Sequence, residues 1–309
     1  MGTHTGRSGP MTPENELEIV RRVFAKQIVH AARASDPRLE QALASLRRED
    51  FLLPGPWQLA RFPGGYQATP NDDPVYLYQD APVAIVSDKA LNNGQPSFLT
   101  FLISIGGLQN GERAVHIGTG TGYYTAVISH LAGRNGRVVG IELEPELASR
   151  ARNNLARFAN VEVIHGDGAT IPLEPADVIY VNAGASRPAD NWLDALKPGG
   201  RMVLPLTMNH LTEGGHLMTD GAIFLITRHP DEPGHFAARC VSGTRIYPCA
   251  GMREEASERA LAAAFEKDSF KKNGLKSSGL SRITRLYRTD DIAEERCWMR
   301  APGWCLAYE

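Results

Sequence analysis

Between Arg113 and Leu206 the sequence alternates short apolar runs with helical patterns. That rhythm restricts the fold more than anything else in the 309 residues. Arg113–Ile117 reads as a strand entering a glycine turn, Tyr123–Ala132 as a helix and Arg137–Glu142 as a second strand. Glu144-Pro145-Glu146 opens another helix, with Leu147, Ala151, Leu155 and Phe158 on one face. Val161–His165, Asp177–Asn182 and Arg201–Leu206 follow as strands, the last after a Lys197-Pro198-Gly199-Gly200 turn. Strands joined by helices of this length need right-handed crossovers, and hence a parallel sheet. The expected class is α/β, a doubly wound, mostly parallel sheet.

The flanks read differently. Thr12-Pro13-Glu14 and Asp36-Pro37 are helix starts, each a capping side chain followed by proline at the first helical position. Apolar stripes follow them: Leu17, Val20, Phe24, Ile28 and Ala31, then Leu39, Ala42, Leu43 and Leu46. Residues 52–75, rich in Pro, Gly and Asn, read as an irregular connection. Gly221–His229 and Phe236–Tyr247 flank a Pro-Asp-Glu-Pro-Gly turn and predict an antiparallel hairpin at the sheet edge. A helix near Glu254–Phe265, a basic loop and short strand-like pieces end the chain. The expected division is a helical segment with its connecting loop over 1–80, a core domain over 81–251 and an extension over 252–309.

His116-Ile117-Gly118-Thr119-Gly120-Thr121-Gly122-Tyr123 is a strand, a G-x-G-x-G turn and a helix start. Glycines there let the backbone turn sharply and let a ligand approach with no Cβ in the way. Glu142 ends the next strand, where a carboxylate can accept hydrogen bonds from both ribose hydroxyls of a nucleoside. Dinucleotide sites use G-x-G-x-x-G because a pyrophosphate must reach the helix N-terminus. Here the third glycine comes one residue early, which suits a nucleoside cofactor without phosphate, S-adenosylmethionine. Asp167, in His165-Gly166-Asp167-Gly168, can accept from an adenine amino group at the mouth of the sheet; it can equally cap a turn. The cofactor residues expected are therefore Gly118, Thr119, Gly120, Gly122, Glu142, Leu143, Asp167 and Gly168.

With these motifs in view, the chain resembles a class I S-adenosylmethionine-dependent methyltransferase, and more narrowly a divergent protein-L-isoaspartate O-methyltransferase. The likeness rests on His116–Val127, Gly166-Asp167-Gly168, Asp177–Pro188 and Leu196–Leu206. Asp36–Leu52 and Arg245–Gly251 match in style. The resemblance implies a Rossmann-like sheet, S-adenosyl-L-methionine as cofactor, and a carboxylate acceptor: an isoaspartyl or aspartyl residue of a protein or peptide, or a small acid. The family carries a Thr-Ile-Ser-Gln-Pro type segment whose serine helps hold the acceptor. The equivalent here is Asn92-Asn93-Gly94-Gln95-Pro96, with glycine at the serine position. Asn92, Asn93, Gly94, Gln95 and the nearby Ser97 are the expected substrate contacts. No catalytic acid or base is assigned, because a carboxylate is already ionised at neutral pH.

Charge and composition exclude several alternatives. Lys and Arg total 33 against 35 Asp and Glu, so nothing global attracts nucleic acid or an anionic membrane. One local exception is Lys267–Arg288, with seven basic residues against Asp268 and with Phe270 and Tyr287 interleaved. That run is the only support for a nucleic-acid or small-molecule methyltransferase, and Val181–Ala185 lacks the Pro-Pro-aromatic element of base-modifying enzymes. Gly94 is the only support for a lapsed, merely cofactor-binding protein. The longest apolar stretch, Phe98–Leu108, is short of the ~20 residues of a membrane span. Met1–Pro10 shows no apolar signal core, and the four cysteines fit neither a CxxC motif nor a disulfide framework. His210, His216, His229 and His235 have no supporting carboxylate or cysteine cluster, so no metal is expected. A cytoplasmic enzyme is expected.

Overall fold

Helix α1 (Pro13–Ala31) begins where Thr12 Oγ1 accepts from Asn15 N, and α2 (Pro37–Ser45) where Asp36 Oδ1 accepts from Arg38 N. The computed structural model describes residues 12–61, 65–86, 91–211, 217–232, 234–268 and 279–308. Both helices turn their apolar stripes inward, burying Phe24 and Ile28 from α1 and Leu39 and Leu43 from α2. The connection that follows contains two small hairpins. One joins β1 (Gln58–Ala60) to β2 (Tyr66–Ala68), the other β3 (Ala84–Val86) to β4 (Leu91–Asn92). Helix α3 (Pro96–Gly106) then leads into the main sheet, ending at Gly107 in the left-handed region.

The crossover half of that sheet consists of β5 (Arg113–Ile117), α4 (Tyr123–Ala132), β6 (Arg137–Glu142), α5 (Pro145–Leu155), β7 (Val161–His165), β8 (Ala176–Val181), α6 (Asp190–Ala195) and β9 (Leu196–Leu211). Strands β7, β6, β5, β8 and β9 are parallel in that order. The antiparallel half continues outward through β10 (Leu217–Arg228) and β11 (Phe236–Ile246), the expected hairpin, which lies inside the sheet rather than at its edge because three further strands follow beyond it. Helix α7 (Glu255–Lys267) follows, and β12 (Ile283–Tyr287), β13 (Cys297–Ala301) and β14 (Trp304–Tyr308) extend the same sheet in the order β11, β12, β14, β13.

Successive residues of the central strands serve opposite faces, as the two-residue period of a strand requires. Ala114, Val178 and Val203 pack with α1 to α5 on one side. Val115, Ile179 and Leu204 pack with Trp192, Leu261, Phe265 and Trp304 on the other. The C-terminal strands therefore share an apolar core with the crossover half.

The structure corrects one local expectation. Lys197–Gly200 is not a turn preceding a strand but an interruption inside β9. Leu196 pairs with Ala176, the register then jumps, and Arg201 pairs with Val178. Gly199, at φ +74°, accommodates the extra residues. The strand also runs on to Leu211, because β10 pairs with it along its whole outer length.

His116 stands at the centre of the parallel strands, fully enclosed, its Nδ1 2.8 Å from Thr125 Oγ1. Burial holds its pKa down to about 4. A histidine that is hard to protonate when folded contributes stability above its unfolded pKa, and that contribution is lost as pH falls towards 4. The expected cost on acidification from pH 7 is about 3 kcal/mol. Denaturant unfolding of wild type and His116→Gln between pH 7 and pH 4.5 checks this: the variant should lose the histidine part of the slope, and an unchanged slope refutes it.

Candidate active site

The carboxyl ends of β5, β6, β7 and β8 open into a cavity of about 380 Å³, the usual ligand position in an open α/β sheet. Its far wall comes from the β3–β4 hairpin with the start of α3, and from the end of β11 with residues 247–251.

The glycine loop forms the floor. Gly118 (φ +80°), Gly120 (φ +58°) and Gly122 (φ +99°) all take left-handed backbone, which residues with a Cβ rarely adopt. A Cβ on Gly118 would lie 3.2 Å from the Asn182 carbonyl oxygen. The loop is tied down at both sides: Gly118 N donates to Ile141 O at 2.9 Å, and Gly120 N to Glu142 Oε2 at 2.7 Å.

Glu142 is almost fully buried, and its Oε1 accepts from Glu144 N at 3.0 Å. Burial raises its pKa above the usual carboxylate value, while the backbone donors at Glu144 and Gly120 pull the other way. The carboxylate is thus held by the backbone of Gly120, Glu144 and Leu143 and keeps acceptor capacity on the cavity side. Leu143, beside it, is exposed along the cavity.

Asp167 takes the turn-capping role and also faces the cavity. Its Oδ1 caps the turn after β7, accepting from Ala169 N at 2.9 Å, and the residue lines the cavity. Gly251 packs so tightly on this carboxylate that a Cβ there would collide with it. Gly168 is held from behind by Trp192, whose Nε1 donates to the Gly168 carbonyl at 2.8 Å.

Of the expected contacts, Gly118, Thr119, Gly120, Glu142, Leu143, Asp167 and Gly168 line the cavity together with Asn92, Asn93, Gly94 and Gln95. Gly122 and Ser97 do not. Gly122 is glycine because a Cβ would lie 2.8 Å from Leu155 Cδ1 on α5. Ser97 is taken up by Asp80, whose Oδ1 accepts from Ser97 N (2.8 Å) and Oδ2 from Ser97 Oγ (2.6 Å) and Gln95 Nε2 (3.0 Å). Asp80 therefore caps α3, a role no spacing in the sequence advertises. Of the basic run Lys267–Arg288, residues 269–278 lie outside the described residues, while Arg288 is paired with Asp190 and Asp194 and Arg282 lies over the Tyr308 ring.

Gly94 adopts φ +77°, and a Cβ there would lie 2.6 Å from Leu99 Cδ2. The loop is built for glycine, not for an absent serine. Asn92 Oδ1 accepts from Gly94 N and its Nδ2 donates to Tyr66 Oη, both at 2.9 Å; Asn93 Oδ1 accepts from Val83 N at 2.8 Å. These amides shape the wall of the cavity.

The loop after β8 is laced to the chain beyond β11. Gly184 N donates to Tyr247 O, Cys249 N to Gly184 O, Ser186 N to Met252 O and Glu254 N to Ser186 Oγ. Arg253 Nη1 donates to the carbonyls of Gly184 and Thr207, both at 3.1 Å, while its Nη2 pairs with Glu258 of α7 at 2.7 Å. Cavity-lining residues that sequence reasoning left out, Arg245, Tyr247, Cys249, Ala250 and Gly251, belong to this region or lead into it.

Comparison with known proteins agrees with this geometry. Residues 24–217 match the family model described as Protein-L-isoaspartate(D-aspartate) O-methyltransferase (PCMT). Protein-L-isoaspartate O-methyltransferase 2 of Archaeoglobus fulgidus is 30% identical over 220 residues, 70% of this chain and 94% of that protein. The enzyme of the same name from Methanopyrus kandleri is 34% identical over 153 residues, 48% of this chain and 67% of its own length. A solved protein-L-isoaspartate O-methyltransferase superposes with a TM-score of 0.59 at 25% identity, over 79% of this chain and 69% of that one. This chain belongs to the protein-L-isoaspartate(D-aspartate) O-methyltransferase family.

Proposed function

We propose that the protein is an S-adenosylmethionine-dependent O-methyltransferase acting on a protein or peptide carboxylate of the isoaspartyl type. The observation that carries the reading is the left-handed glycine loop locked to Glu142 in the cavity, within a chain that belongs to this family. Bound S-adenosylmethionine supplies a methyl group on a sulfonium; as the new C–O bond forms on the carboxylate, the C–S electron pair returns to sulfur.

The residues present fit such a cofactor. Gly118 and Gly120 leave the floor free of side chains, and Glu142 offers acceptor capacity to two ribose hydroxyls. Asp167 and Leu143 line the same cavity, where Asp167 would accept from an adenine amino group and Leu143 would offer apolar surface to the base. The acceptor occupies the end bounded by Asn92–Gln95 and Tyr247. The protein's contribution is alignment and exclusion of water, because the acceptor needs no base. His116, enclosed in the sheet, and His165, whose Nε2 meets the Leu143 carbonyl, take no part in the chemistry.

On this reading residues 81–251 hold the machinery, with 1–80 and 252–309 flanking it. The four cysteines are unpaired, which suits the cytoplasm, and among the described residues no helix is long and apolar enough to cross a membrane. Incubation with methyl-labelled cofactor and matched isoaspartyl and aspartyl peptides tests the proposal. Label released by mild alkali, as from a methyl ester, is the expected result. Alkali-stable label, or none on either peptide, overturns it.

A further inference from the structure

We propose that Arg245 is the group that recognises the acceptor carboxylate. The assignment rests on the carboxyl-methyltransferase reading above and names how that site holds its substrate.

Several donors near the acceptor end are already committed. Gly94 offers no side chain, and its left-handed backbone at φ +77° would strain any residue that had one. Gln95 Nε2 and Ser97 Oγ are both spent on Asp80, and Asn92 Nδ2 on Tyr66. The hydroxyls of Tyr123 and Tyr124, which line the cavity without a hydrogen-bond partner among the described residues, are neutral donors, so the charge of an anionic acceptor must be met by something else.

The charges around the cavity narrow the choice. Glu142, Glu144 and Asp167 line the cofactor end, and each would repel a carboxylate brought alongside it. Among the described lining residues the one cation is Arg245. It lies near the end of β11, two residues before Tyr247, on the opposite wall from the glycine loop.

Arg245 is also presented in a fixed orientation. Asp220, its register partner on β10, accepts from Nε at 2.7 Å and from Nη2 at 3.3 Å. This pairing holds the planar guanidinium and keeps its charge: hydrogen bonding to Asp220 raises the pKa further. Nη1 makes no hydrogen bond to any described residue, so part of the fork stays available to a second carboxylate. Guanidinium is suited to that task because its donors lie in one plane at carboxylate spacing. Arg245 thus positions the acceptor by its charge, and the methyl transfer itself needs nothing more from it.

The test compares wild type, Arg245→Gln and Arg245→Lys on an isoaspartyl peptide, with S-adenosylhomocysteine binding measured by calorimetry alongside. Arg245→Gln should raise KM for the peptide about tenfold or more, the loss expected for one charge-assisted hydrogen bond. The kcat should change far less, and the affinity for S-adenosylhomocysteine should not move. Arg245→Lys should fall between, because it keeps charge but loses the fork. Wild-type KM should also rise with added salt more steeply than that of Arg245→Gln. An unchanged KM in Arg245→Gln overturns the assignment while leaving the methyltransferase reading intact, as does a parallel loss of cofactor affinity, which would mark a merely structural role. A wild-type protein that methylates no carboxyl peptide overturns the function, and this assignment with it.

Discussion

Replacing Glu142 by alanine is expected to weaken binding of S-adenosylhomocysteine by about 100-fold or more. The carboxylate serves two clients at once. It anchors the backbone of Gly120 and of Glu144, and it has acceptor capacity left for two ribose hydroxyls. Each hydrogen bond to a charged group contributes roughly 1.5–3 kcal/mol, so losing the ribose pair alone costs about 3 kcal/mol. Releasing Gly120 adds to the loss, because the loop must then be ordered by the ligand. Stability should change less than affinity, since burial opposes ionisation of Glu142 and its removal relieves that cost. Calorimetric titration is the direct measurement, with Glu142→Asp as the intermediate case. A dissociation constant within threefold of wild type would mean that the ribose lies elsewhere. The raised pKa also fixes a sign: affinity should fall as pH drops through that raised value, earlier than for an ordinary carboxylate.

The largest stability effect is expected at Trp192. The indole is completely buried, in the same apolar cluster as Leu204, Leu261 and Trp304, and its Nε1 holds the Gly168 carbonyl. Trp192→Ala should cost about 3–5 kcal/mol, from lost burial and the cavity left behind. In a chain of this size that lowers Tm by roughly 5–8 °C. Trp192→Phe separates the two roles. It keeps most of the packing but removes the donor, so it should cost about 1–2 kcal/mol and weaken cofactor binding through a loosened Gly168. Denaturant unfolding and calorimetry on the two variants decide the matter. An alanine variant within 1 kcal/mol of wild type would show that the core is not organised around this side chain.

The parts of the site that were legible in the sequence are those built from neighbouring residues. Gly118, Gly120, Glu142, Asp167 and Gly168 follow consecutive parallel strands, so one βαβ rhythm places all of them at the same end of the sheet. Residues delivered by packing were not legible. Gly122 has the motif spacing, yet it is glycine to make room for Leu155. Ser97 lies beside the substrate loop in sequence, yet its hydroxyl is turned to Asp80. Arg245 and Gly251 reach the cavity because β10 and β11 stack outward from β9; the turn between them announces the hairpin, but no local pattern tells that its far end closes on the cavity. The Lys-Pro-Gly-Gly run carries every sign of a turn, but the pairing of β8 and β9 on both sides of it makes it a bulge.

The strand order has a consequence for how the chain assembles in time. The antiparallel half from β9 to β11 is made of consecutive hairpins, so each strand can zip onto its predecessor as it leaves the ribosome. The parallel half has no such option: β5 stands between β6 and β8, and Ala114 must wait for Val178. Contacts across such a separation form slowly, because the intervening loop must first be ordered. The glycine loop is among the first cavity elements synthesised, while Gly251, which closes on Asp167, is the last of the cavity-lining residues in the sequence. The ligand cavity is thus completed late, and cofactor can favour the finished protein but cannot guide its early collapse.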